Sequence, residues 1–180
     1  MLRITIPAAE LFDESRQEFI YTKERTLQLE HSLVSISKWE SKWHKAFLTD
    51  KEKTKEETID YVRCMTLTQN VDPEVYNYLT NKNLEEINNY IAEPMTATVI
   101  AEDKSGKNNR DVITSELIYY WMIASNIPPE YQKWHLNRLL MLIRVCGVKN
   151  SPPKKRSRRE IMSQNQAINA ARRKSLNTKG

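Results

Sequence analysis

Residues 114–145 read TSELIYYWMIASNIPPEYQKWHLNRLLMLIRV, and this stretch decides the fold class. Thr114 can cap a helix carrying Leu117, Tyr120, Trp121 and Ala124. Asn126 and the Ile127-Pro128-Pro129 step end it, because proline cannot continue a helix and holds its predecessor extended. Pro129 can open the next helix, with Tyr131, Trp134, Arg138, Leu142 and Val145 along one side, Leu139 and Ile143 beside them, and Gly147 placed as a C-terminal cap. The pattern predicts an antiparallel helical hairpin at the centre of the core, with Leu139 and Leu142 structural.

Upstream, the period changes twice. Leu2–Ile6 alternates apolar and polar and is closed by Pro7; Phe19–Thr22 and Thr26–Glu30 follow a polar turn at Asp13-Glu14-Ser15. These read as two or three short antiparallel strands, too few to be stable without helices packed on them. Leu33, Ile36, Trp39, Trp43 and Phe47 then recur every three or four residues, the stripe of an amphipathic helix. Thr54-x-x-Glu57 is a capping box for a second helix. Asp72-Pro73 opens a short helix through Leu79, and Asn83-x-x-Glu86 starts another that Pro94 stops. Thr96–Ala101 with Val112-Ile113 suggests a hairpin. The expected fold is therefore α+β and predominantly helical. It comprises one domain over 1–150, with strands in 1–31 and a helical body over 32–148, and a basic helical or disordered tail over 151–180.

Charge divides the chain at the same place. Residues 149–180 hold ten Lys/Arg against the single acid Glu160, a net +9, whereas the whole chain carries +5; the first 148 residues are therefore acidic, at −4. A cationic tail on an acidic body fits a solvated terminus, a polyanion-binding arm, or a segment that folds on an acidic partner. For polyanion binding the residues are Lys154, Lys155, Arg156, Arg158, Arg159, Arg172, Arg173 and Lys174. Binding of nucleic acid through them would be salt-sensitive and sequence-independent, since the tail has no aromatic residue to stack on bases.

Three glycines in 180 residues argue against a glycine-rich phosphate cradle. His31, His44 and His135 are scattered, without a second ligand at helical spacing, so no metal or cofactor is expected. Cys64 and Cys146 lie in apolar helical patterns and read as small hydrophobes in a reducing compartment. No nucleophile has a recognisable base, and acid pairs such as Glu56-Glu57 sit in first helical turns, where the macrodipole favours carboxylates. The second helix of the 114–146 hairpin is too apolar to read a DNA groove. Without an apolar run of membrane length or a secretory leader, the expectation is a soluble, intracellular, non-enzymatic binding or assembly protein. Trp39, Trp43 and Phe47 are either core or the anchors of an interface, since tryptophan is prominent among binding hot spots.

One resemblance adds to this. Glu10-Leu11-Phe12-Asp13 running into Glu18-Phe19-Ile20, Leu29-Glu30-His31-Ser32-Leu33 entering Trp39-Glu40-x-x-Trp43 and Phe47-Leu48, and Glu116–Trp121 broken by Ile127-Pro128 together resemble the tail assembly chaperones of long-tailed bacteriophages, encoded beside the tape measure protein. The likeness covers about half the chain and brings no catalytic residues. It implies a protein of the bacterial host cytoplasm that keeps the tape measure protein soluble during tail assembly, possible self-association included. The alternative is a phage structural or connector protein that associates with nucleic acid through its basic tail.

Overall fold

The computed structural model describes residues 1–13, 18–49, 51–100, 112–151 and 158–176. The chain divides into two compact units, Met1–Lys149 and Asn150–Gly180. The fold is α+β and mostly helical. The first unit begins with strands β1 (Leu2–Ile6), β2 (Ala9–Asp13), β3 (Glu18–Thr22) and β4 (Arg25–Leu29). β1 pairs with β4 and β2 with β3, both antiparallel, and one constant register runs from Leu2↔Leu29 to Asp13↔Glu18. The four strands are thus one long hairpin interrupted at Pro7-Ala8 and Lys23-Glu24, where proline has no N–H to give the ladder. Ile4, Ile6, Leu27 and Leu29 are buried, as the strict alternation of β1 and β4 requires. The other edge of β4 is joined by the chain leaving the second helix: Glu30 N donates to Met65 O at 2.9 Å and Leu67 N to Gln28 O at 2.8 Å.

Helix α1 (Leu33–Trp43) starts at a reciprocal Ser32/Ser35 cap, and α2 (Lys55–Met65) at the Thr54/Glu57 capping box read from the sequence. α1 is shorter than its apolar stripe. His44 takes a left-handed conformation (φ 52°), with its N–H bonded to Glu40 O, and turns the chain out of the helix. Phe47 therefore belongs to the following loop. Asp72 caps a 3-10 turn over Pro73–Tyr78. α3 (Asn81–Ala92) begins one turn before the expected Asn83: Thr80 is the cap and Asn83 the reciprocating third residue. The expected hairpin does not form at 96–100 or at Val112-Ile113, which are irregular; its remaining positions lie outside the described residues.

α4 (Ser115–Ala124) is capped by Thr114, and a 3-10 turn over Pro129–Lys133 precedes α5 (Leu136–Asn150). Two expectations are corrected here. Pro129 opens only the 3-10 turn, because the extended Trp134 separates it from the helix. Gly147 is helical and not a cap, since α5 runs through Asn150. Leu139 is wholly buried, whereas Leu142 packs against the core half-buried. In the second unit, α6 (Arg158–Leu176) exposes Met162, Ile168 and Leu176.

Candidate functional site

Three places deserve consideration: the aromatic cluster of α1, the groove between α4 and α5, and the cationic helix α6. The first is built by the turn at His44. Trp39 is 1% exposed; its Nε1 donates to Glu57 O at 2.9 Å, and its ring meets Phe47 edge-on at 5.2 Å. Phe47, itself buried, lies 4.0 Å from the Tyr61 ring. Both residues therefore sit in the core. Trp43 is half-buried at the rim, with Nε1 donating to Asp60 Oδ2 at 2.8 Å and with Lys42 and Lys45 each 5.9 Å from its ring. Of the three aromatic candidates, Trp43 retains the most surface for a partner.

Beneath them lies a buried polar hub that sequence spacing does not reveal. Glu40, inside α1, accepts from Phe47 N through Oε1 and from Ser115 N through Oε2, both at 2.8 Å. Its carboxylate thus holds the loop and caps the first turn of α4, where a helix has unpaired N–H groups and favours negative charge. Glu57 closes its capping box through Oε2 and takes Lys45 on Oε1; the Lys45 hydrogen bond, then the Thr54 N–H, hold its pKa low.

His31 and His135, 104 positions apart, meet with ring centroids 5.1 Å apart. His31 Nδ1 faces the Tyr61 hydroxyl at 2.5 Å. Burial raises the Tyr61 pKa, so the hydroxyl keeps its proton beside Nδ1. His135 is fixed in orientation: Nε2 donates to Tyr90 O at 3.0 Å, and Nδ1 accepts from Asn137 N. Burial, with His135 as a second cause, lowers the His31 pKa from 6.5 to about 3. The unfolded chain therefore binds a proton that the folded chain refuses between those values, and stability falls as pH drops through this window. The loss expected between neutrality and about pH 5.5 is about 1.3 kcal/mol from His31. Urea melts at the two pH values, with a His31→Gln variant as control, check it; equal pH dependence in the two proteins would contradict it.

The groove arises from α4 being apolar on more than one side. The core takes Ser115, Ile118 and Met122, leaving Tyr120 and Ala124 of the expected stripe exposed and Leu117 and Trp121 half-buried. Trp121, Ala124 and Ser125 then face Leu140, Ile143, Arg144 and Gly147 of α5 across a shallow groove of about 370 Å3. Tyr120 and Ile123, one turn apart on α4, are 63% and 76% exposed, and Val148 on α5 is 56% exposed. The 3-10 turn braces the hairpin end: Tyr131 stacks on Trp134 at 4.2 Å, Arg138 lies over Trp134 at 4.0 Å, and Tyr119 donates to Gln132 at 2.9 Å.

On α6, Arg158 and Arg159 occupy the first turn and Arg173 and Lys174 the last, with Arg172 immediately before it, all exposed. Lys154, Lys155 and Arg156 lie outside the described residues. Among the described residues, no helix is long and apolar enough to cross a membrane, and no group of His, Cys, Asp or Glu is placed to hold a metal. No protein-family model matches the chain, nor does any curated protein or solved structure.

Proposed function

We propose that this chain is a non-enzymatic tail assembly chaperone acting in the bacterial host cytoplasm, and that the α4–α5 groove receives an amphipathic helix of the tape measure protein. The observation that carries the reading is the second apolar face of α4. Trp121 and Ala124, flanked by Tyr120 and Ile123, stand open opposite Leu140 and Ile143, the arrangement by which a groove accepts the apolar side of a helix. Arg144 on the lining suits an acidic residue on the incoming helix. The sequence resemblance to tail assembly chaperones points the same way, and Trp43 offers a secondary contact.

Gly147 gives a clean test. A Cβ added there meets nothing within 4 Å, and glycine is a weak helix former, so Gly147→Leu should preserve the fold while filling the groove. Co-expressed with the cognate tape measure protein, the parent chain should keep it soluble and co-purify with it. Folded Gly147→Leu should lose at least about tenfold in affinity, about 1.4 kcal/mol. Equal co-purification of variant and parent would remove the groove, and no co-purification of the parent would remove the chaperone reading.

The cation clusters at both ends of α6 support the second reading, nucleic-acid association through the tail. It predicts binding to mixed-sequence duplex DNA that weakens steeply as salt rises to about 200 mM.

A further inference from the structure

Independently of the chaperone reading, the loop between α1 and α2 forms a second concavity with different chemistry. A cleft of about 520 Å3 is lined by Trp39, His44, Lys45, Thr49, Lys51 and Lys53, among others, with Glu52 and Glu57 as its acids. Its volume is in the range of small-molecule sites. Glu57 is already engaged, one oxygen by Lys45 and the other by the Thr54 N–H. Glu52 is exposed. Among the described residues no ion pair holds Lys51 or Lys53. The half-buried Lys53 instead rests its ammonium on aromatic faces, 4.3 Å from the Phe47 centroid and 6.0 Å from that of Trp39.

We propose that this cleft binds a compact oxyanion, the phosphate or carboxylate group of a ligand, with Lys53 as the inner cation and Lys51 as the outer one. Three observations converge. The cleft is concave and lined by several lysines; its inner carboxylate is consumed by internal partners; and its inner ammonium rests on a π surface and, among the described residues, is in no ion pair. Burial also lowers the Lys53 pKa, which Glu57 only partly offsets, and a bound anion would raise it again. The faces of Phe47 and Trp39 hold the lysine ammonium, which fixes its position before the ligand arrives.

Competitive acetylation with trace acetic anhydride, followed by mass spectrometry of lysine peptides, tests the site on the full chain. Inorganic phosphate in one arm and N-acetylglutamate amide in the other separate a free phosphate from a side-chain carboxylate. Sodium chloride at matched ionic strength serves as the control. At about ten times Kd, the bound anion should slow Lys53 labelling about tenfold relative to chloride and raise Tm. Lys53→Met, which replaces the ammonium by an apolar chain of similar length, should fold normally and abolish the anion-dependent rise in Tm. Protection in either arm supports the site and names the source. Labelling unchanged by both anions, protection by chloride to the same extent, or an undiminished Tm response in Lys53→Met would overturn it.

Discussion

Replacing Glu40 by alanine is expected to cost about 2–6 kcal/mol, because two buried N–H groups lose their acceptor at about 1–3 kcal/mol each. Those groups belong to Phe47 and Ser115, so one side chain ties α1 both to the turn that follows it and to the start of α4. Glu40→Gln keeps one acceptor oxygen and places an amide NH2 against the other donor; it should fall between alanine and the parent. Urea unfolding of the three proteins measures this. A Glu40→Ala loss below about 1 kcal/mol would mean that the carboxylate does not bridge these elements.

Trp39→Ala should be comparably severe, at about 3–5 kcal/mol, the usual range for truncating a buried aromatic residue. The indole packs against Phe47, stacks on Trp43 at 6.2 Å and satisfies Glu57 O. Trp43→Ala removes a half-buried ring and should cost less. If the two variants lost equal stability, the rim position of Trp43 would be wrong. This ordering also bears on function: a Trp39 variant that fails to hold a partner says only that the core has failed, whereas a folded Trp43 variant reports on the surface.

Much of the fold is written locally. The Thr54/Glu57 box, the Thr114 cap, the Asp72-Pro73 turn and the Pro128-Pro129 break are short-range signals, and each appears where residue chemistry places it. The alternation of Leu2–Ile6 and Thr26–Leu29 identified the buried face of the paired strands for the same reason. Periodicity failed where a helix is apolar on several sides. In α4 it selected Leu117, Tyr120, Trp121 and Ala124, whereas the core takes Ser115, Ile118 and Met122, since nothing local distinguishes a face that is wholly buried from one left partly open. The end of α1 was hidden because a histidine adopts the left-handed turn usually given to glycine, so Phe47 kept helical spacing after the helix had stopped.

The polar hub was invisible for a different reason. Glu40 and Ser115, like His31 and His135, are brought together only by tertiary packing, and neither pair has a spacing that a sequence can display. The acidic body and cationic tail were legible as composition, and the exposed termini of α6 show where the cations stand on that helix.

The central claim is that the α4–α5 groove holds a tape measure helix. Hydrogen–deuterium exchange of the full chain, free and bound to the co-expressed tape measure protein, tests it most directly. The account predicts slower exchange on binding in Leu117–Ser125 and Leu140–Val148, with α3 unchanged. Protection confined to α6, or exchange in the groove segments identical in the two samples, would contradict it.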